Sequence, residues 1–277
     1  MSLIPLVSIV TPSYNQAKYL EGTIVSVLNQ DYPNIEYIII DGGSTDGSVE
    51  IIQKYQDKLA YWVSEKDRGQ THAINKGFAK ARGSFMNWLC SDDILEPSMV
   101  SISMHYLLKH PNVGLTYGNR VRIDAKGNIY SMERYPAFKR YLLRWGFSIP
   151  QETVLFRREV FDAVGGLDES LKMVMDFDLW CRISKVSSIL HIPAYLGRFR
   201  AHLSNKSSIF SKQMEQTGFA EGNPAEYVKV YMKHFGKNPS AFLITLEKVT
   251  SQLLAFYERR TKQYRKNLET ISRIRLS

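Results

Sequence analysis

Apolar and polar positions alternate in blocks along the first part of the chain. Leu6–Val10 is an apolar run stopped by Thr11-Pro12-Ser13, which predicts a strand. Leu20, Ile24, Val27 and Leu28 then recur at spacings of four, three and one, placing them on one face of a helix that ends near Gln30. Ile35–Ile40 predicts a second, fully apolar strand ended by Asp41-Gly42-Gly43. Ser44, Thr45 and Asp46 offer N-caps to a helix whose face is marked by Ile51, Tyr55 and Leu59. Tyr61–Val63 predicts a short third strand, Thr71–Ala81 a helix with Ile74, Gly77, Phe78 and Ala81 on one side, and Ser84–Cys90 a fourth strand.

Strand, turn and helix in repetition predict an α/β fold with a mostly parallel central sheet flanked by helices. The polar clusters TPSYN, DGGSTDG, SEKDRGQ and SDD all fall at carboxyl ends of the predicted strands. In open α/β sheets that edge is where ligands bind. Beyond Ser98 the pattern loosens: a helix is expected over Val100–Lys109, strands at Gly114–Tyr117 and Asn128–Met132, and a helix from Arg158 to Val164 ended by Gly165-Gly166. A further helix carries MDFDLWCRIS (175–184), with Phe177 outside its main face and Leu179, Trp180 and Ile183 toward the core. From about Ser211 the chain reads as helices, with breaks at Asn223-Pro224 and Asn238-Pro239.

Composition adds little to this picture except through charge. The chain is 44% hydrophobic and 23% charged, ordinary for a globular protein, and no repeat or low-complexity tract argues for disorder. No run reaches about 18 apolar residues and no cleavable leader pattern opens the chain, so a cytoplasmic location is expected. Cys90 and Cys181 lack any CxxC or Cys/His neighbourhood and are expected to be core thiols. The net charge of +9 favours anionic partners, and much of the excess lies in the tail between Glu258 and Ser277.

The candidate chemistry sits in acidic residues next to apolar runs. Asp92 and Asp93 end the fourth strand side by side, and two carboxylates about 4 Å apart repel by roughly 4 kcal/mol at an effective dielectric of 20. A divalent cation shared with substrate phosphates reverses that sign; a helix cap or a solvated turn is the alternative. Asp41, before two glycines, could accept hydrogen bonds from a base or ribose, or simply shape its turn. Asp67 and Arg68 could line the same edge or form a surface ion pair. Asp176 lies among apolar residues, where a raised pKa would suit a general base, whereas Asp178 is spaced to pair with Arg182. His202 has Arg198 and Arg200 as neighbours, and a structural or solvated role is its alternative.

Taken in order, VSIVTPSYNQAKYLEGTIVSVLNQDYPNIEYIIIDGGSTDGS, SEKDRGQTHAINKGFAKARG, WLCSDDILEP, PQETVLFRREVFDAVGGLDESL, MDFDLWCRI and RFRAHLSNKS resemble the family 2 glycosyltransferases of the GT-A fold, over about residues 5–208. The resemblance implies an inverting transfer of a sugar from a nucleotide diphosphate donor, UDP-linked in the first instance, to an acceptor hydroxyl. It implies that Thr11, Pro12, Tyr14 and Asn15 border the nucleotide, that Asp41 meets the base, and that Asp67 and Arg68 line the nucleotide pocket. Asp92 is implied at the ribose, Asp93 on Mn²⁺ or Mg²⁺, and His202 as a further metal ligand. Asp176 takes the place of the catalytic base, although the glutamate that usually precedes that base is Met175 here.

On this reading residues 1–210 form the catalytic domain, with a nucleotide-binding half over about 1–98 and an acceptor half over about 99–210, and residues 211–277 a helical extension. AFLITLEKVTSQLLAFYERR combines an apolar face with a basic continuation, so these helices could meet an anionic membrane carrying a lipid-linked or glycan acceptor. Packing on the domain or on a second copy of the chain is the alternative. A sugar-nucleotide-forming nucleotidyltransferase would favour a Gly-rich basic loop near the start, which TPSYNQAKYL lacks. A non-catalytic nucleotide-sugar binder is the remaining alternative, and the paired acids argue against nucleic acid at this edge.

Overall fold

The structure is a computed structural model that describes residues 4–206 and 223–236. Strands β1 (Val7–Ser13), β2 (Ile35–Asp41), β3 (Tyr61–Ser64) and β4 (Phe85–Trp88) pair in parallel in the order β3-β2-β1-β4. Helices α1 (Ala17–Leu28), α2 (Ser48–Lys54) and α3 (Gln70–Lys80) provide the crossovers. The sheet then becomes mixed. β8 (Leu155–Arg157) runs antiparallel to β4 and to β6 (Val113–Ile123), and β9 (Ser188–Arg200) lies parallel to β6. The short β5 (Ile94–Leu95) closes the far edge against β9, and β7 (Ile129–Glu133) hangs antiparallel on β6. Helices α4 (Met99–Lys109), α5 (Arg140–Arg144), α6 (Arg158–Ala163), α7 (Met175–Val186) and α8 (Asn223–Phe235) complete the described chain.

Strand alternation sorts the core into two layers. Val10, Ile38, Ile40, Met86 and Trp88 face one cluster with Ile74 and Phe78 of α3 and Leu179, Trp180 and Ile183 of α7. Val7, Ile9, Tyr37, Ile39 and Phe85 face the other, with Leu20 and Ile24 of α1 and Met99, Val100 and Met104 of α4. A sheet covered on both faces explains why its strands read as nearly continuous apolar runs. Gly77 lets α3 approach β1, since a Cβ there would stand 2.3 Å from Val10 Cγ1. Gly77→Ala is therefore expected to cost about 1–3 kcal/mol and to lower Tm by several degrees, which a thermal melt checks.

Several expected boundaries shift for physical reasons. β1 continues through Thr11-Pro12-Ser13, because it outruns β4 and keeps only β2 as partner there, where a proline costs little. α2 starts later than its expected caps and stops at Lys54, so Tyr55 and Leu59 lie beyond it and Ile52 is its buried apolar residue. Phe177, expected off the main face of its helix, is buried because Tyr227 of α8 covers it at 5.3 Å between ring centroids. Asn223-Pro224 opens α8, whereas the remaining helices expected over 211–277, the Asn238-Pro239 break and the basic tail lie outside the described residues. Among the described residues no helix is long and apolar enough to cross a membrane.

Candidate active site

The carboxyl ends of β1, β2, β3 and β4 open onto one cavity of about 740 Å³, within the usual size range of ligand sites. Pro12 and Ser13 end β1 and Tyr14 follows it, Gly42 and Gly43 follow β2, Lys66 and Asp67 follow β3, and Cys90 to Asp93 follow β4 along its wall. Gln151, Glu152, Lys172, Met175 and Asp176 border the same cavity, with Gln151 donating to the Trp88 carbonyl at the end of β4. The polar clusters separated in sequence thus meet at one edge, and Asp176 borders the same cavity.

The expected nucleotide-side residues divide into those that border the cavity and those that shape it. Tyr14 borders it with its ring 62% exposed, free to stack on a planar ligand. Asp41 is buried behind the wall: its carboxylate accepts hydrogen bonds from the Gly43 and Ser44 amides and from the Ser44 and Ser64 hydroxyls. It holds the Gly42-Gly43 backbone against the cavity. Thr11 is bonded to the Tyr37 hydroxyl at 2.9 Å. Asn15, at φ 50°, clamps the second loop by accepting from the Thr45 amide at 2.9 Å. Asp67 borders the cavity and caps the Gly69 amide, while Arg68 turns away to pair with Glu169 at 2.6 Å.

At the end of β4 the two aspartates have different surroundings. Asp93 is 4% exposed; one oxygen accepts from the Arg200 amide at 2.9 Å, and its own carbonyl accepts from the Thr23 hydroxyl. Burial, then the neighbouring Asp92 and Glu152, push the Asp93 carboxyl well above the usual carboxylate range. Asp92 points outward, and its Oδ2 meets His202 Nε2 at 2.9 Å. The His202 ring is held from behind by Ser204 at Nδ1 and by the Tyr19 ring. Cys90, expected in the core, instead borders the cavity with a ligand atom within 4.8 Å of those of Asp92 and Asp93, and accepts from Gln70 Nε2. Cys181 is buried as expected.

Helix α7 shows how one element places two acids in opposite roles. Asp178 is fully buried and accepts from Arg182 Nε at 2.7 Å, Lys233 Nζ at 2.9 Å and His234 Nε2 at 2.8 Å. Burial would raise its pKa, but these three donors outweigh burial and hold Asp178 far below the normal range. It anchors α8 onto α7, alongside Glu226, whose carboxylate accepts from the Lys172 and Met173 amides. Among the described residues no cation is hydrogen-bonded to Asp176, two residues earlier, and Arg120 acts on it only at a distance. Burial pushes it up to about 6, with the Phe177 amide partly opposing that shift. Trp180 fills the core rather than the cavity, stacked on Trp88 at 5.5 Å between ring centroids.

Arg120 and Glu152 are among the cavity residues absent from the sequence expectations. Arg120 on β6 grips Glu152 through two hydrogen bonds of 2.6 and 2.8 Å, both side chains bordering the cavity. Burial opposes the Arg120 charge, but Glu152 raises its pKa well above normal, so a fixed ion pair stands in the wall. The signal available was an acid in PQETVLF at the edge of an apolar run, the same pattern that singles out Asp176. Gly197 of β9 makes the fit possible, because a Cβ there would lie 2.8 Å from Glu152 Cγ.

Residues 8–165 match the description "Glycosyl transferase family 2". An uncharacterized glycosyltransferase of Rickettsia prowazekii is 33% identical over 220 residues, covering 76% of this chain and 69% of that protein. Chondroitin synthase of Escherichia coli is 31% identical over 192 residues, which span 68% of this chain and 28% of that larger protein. Among solved structures, TarS of S. aureus in complex with UDP-GlcNAc aligns with a TM-score of 0.63 at 18% identity, over 83% of this chain and 71% of that one. The mannosyltransferase PcManGT from Pyrobaculum calidifontis, in complex with GDP-Man and Mn²⁺, aligns at 0.57 and 16% identity over 97% of this chain and 84% of that one. These likenesses show a shared GT-A fold.

Proposed function

Because this chain belongs to glycosyl transferase family 2, we propose that its cavity transfers a sugar from a nucleoside diphosphate donor to an acceptor hydroxyl, with inversion and with a bound divalent cation. The observation that carries this reading is that Asp176 borders the same cavity as the four strand ends, with burial pushing its carboxyl up to about 6. Deprotonated near neutral pH, it takes the proton of the acceptor hydroxyl as that oxygen attacks the anomeric carbon. The new bond to the acceptor oxygen forms as the bond from the anomeric carbon to the diphosphate breaks. A single displacement of this kind inverts the centre and needs no covalent enzyme intermediate.

The donor set fits a divalent cation. Asp92 borders the cavity and meets the buried His202 at 2.9 Å, and its repulsion adds to burial in raising the Asp93 carboxyl, a cost that a cation would relieve. Asp92 with His202 would hold the ion in our reading, whereas the resemblance gives the metal to Asp93, whose carboxylate lies in the same group and has one oxygen bonded to the Arg200 amide. An imidazole nitrogen beside carboxylate oxygens favours Mn²⁺ over Mg²⁺, which prefers oxygen alone. The cation supplies Lewis-acid stabilisation of the charge gathering on the departing diphosphate. Tyr14 stacks on the nucleotide base, and the Gly42-Gly43 backbone held by Asp41 lets the donor approach closely.

A panel of nucleotide sugars, UDP-linked donors first, tests the reading by thermal shift with and without Mn²⁺. One donor is expected to raise Tm only when Mn²⁺ is present, because binding to the native state stabilises it by mass action. A panel without any Mn²⁺-dependent shift counts against it.

A further inference from the structure

The segment between β7 and β8 carries a surface that the transfer reaction does not use. Residues 134–148 read RYPAFKRYLLRWGFS, with four cations and no acid. Leu143 of α5 points into the core and is 1% exposed. The opposite face presents Tyr141 at 55% exposure and Trp145 at 53%, flanked by exposed Arg140 and Arg144, with exposed Lys139 and Arg134 nearby. None of these four cations is in an ion pair among the described residues. A monomer surface gains nothing from an uncovered tyrosine–tryptophan pair ringed by uncompensated charge.

We infer that this face of α5 docks the protein on an anionic bilayer. Tyrosine and tryptophan settle at the headgroup level, where an apolar ring and a polar tip are both satisfied, and arginine and lysine beside them meet anionic headgroups. A bilayer also fits the shape better than an acidic glycan does. The two rings lie 5.2 Å apart but are tilted by 59°, so they do not form the flat shared platform on which a sugar ring would stack. A convex helix face offers no groove for a glycan chain, whereas insertion into an interface requires none.

The surface is fixed to the catalytic framework. Tyr231 of α8 donates to the Arg144 carbonyl at 2.7 Å, and Leu143 shares a core cluster with Met175 at the start of α7. Six residues beyond Trp145 the chain reaches Gln151 and Glu152 on the cavity wall. Docking would therefore hold the Asp176 side of the cavity near the membrane, as an acceptor carried by a lipid requires. That orientation rests on the transferase reading; the docking itself does not.

The test uses the full chain and vesicles of phosphatidylcholine with about one third phosphatidylglycerol, against pure phosphatidylcholine. Cosedimentation with the anionic vesicles is expected, weakening as salt rises, with none on neutral vesicles. The pairs Tyr141→Ser with Trp145→Ser, and Arg140→Gln with Arg144→Gln, are each expected to weaken partitioning by about tenfold or more. Transfer to a water-soluble acceptor stays unchanged in both, which separates failure of docking from failure of the transferase reading. The emission lost in Trp145→Phe should be iodide-accessible in buffer and become shielded and blue-shifted on anionic vesicles. Three results would overturn the inference: both pairs binding as the parent does, Trp145 already shielded in buffer, or capture of an acidic oligosaccharide with no vesicle binding.

Discussion

Asp176→Asn is expected to lower kcat for sugar transfer by about 10²–10⁴-fold, with donor affinity nearly unchanged. The substitution keeps the shape and the hydrogen bond to the Phe177 amide, so helix α7 stays in place through Asp178 and its partners Arg182, Lys233 and His234. What it removes is the carboxylate that receives the acceptor proton. Steady-state kinetics with the donor identified by thermal shift check this directly. The sign of the stability effect is opposite. Asp176 is raised to about 6 in the folded chain, so the stability associated with its protonated form is full at low pH and lost as pH rises through 6. At pH 8 the asparagine variant should therefore unfold at a higher temperature than the wild type while turning over far more slowly.

Removal of the cation is expected to abolish Mn²⁺-dependent donor binding, and Asp92→Ala to weaken it by about 100-fold or more. Asp92 is the outward acid of the pair and is the one in contact with His202, whereas Asp93 is enclosed and bonded to the Arg200 amide. Chelation followed by Mn²⁺ addition should restore transfer in the wild type and leave Asp92→Ala inactive. Without metal, the variant should be as stable as the wild type or more so. It removes a charge whose repulsion, after burial itself, contributes to the raised Asp93 pKa. A variant that bound donor normally with Mn²⁺ would move the metal ligand to Asp93, the position expected from the resemblance.

The parallel part of the fold was legible because β1, β2 and β4 are buried on both faces, β3 is a short half-buried edge strand, and all four end in a polar cluster. Apolar runs gave β1 to β4, and their stops gave the ligand edge. β9 was not legible. Its thirteen residues contain Pro193 and Gly197, which normally argue against a strand. The structure accommodates Pro193 in a register shift, where the pairing passes from Tyr117–His191 to Asn119–Tyr195, and uses Gly197 to clear Glu152. That strand delivers His202 to Asp92, so the contact between them depends on an element the pattern hides.

The site divides in the same way. Asp176, Asp92 and Asp93 stand out because a charge beside an apolar run is locally anomalous. Arg120 and Glu152 escape because their pairing crosses 32 positions and leaves no periodic trace. Asp41 also follows an apolar run, and its carboxylate is engaged by Gly43, Ser44 and Ser64 beside the glycines that border the cavity. Asp178 and Arg182 paired as their helical spacing predicts, but Lys233 and His234, which complete that cluster, come from a helix that only the tertiary fold brings alongside.

The pH dependence of kcat, at saturating donor and Mn²⁺, tests the central claim most directly. The wild type is expected to rise to a plateau with an apparent pKa near the Asp176 value of about 6, because only the ionised carboxylate accepts the proton. Asp176→Asn should be slow and flat over the same range. An asparagine variant that kept both the wild-type rate and the rising limb would contradict the assignment of Asp176 as the base.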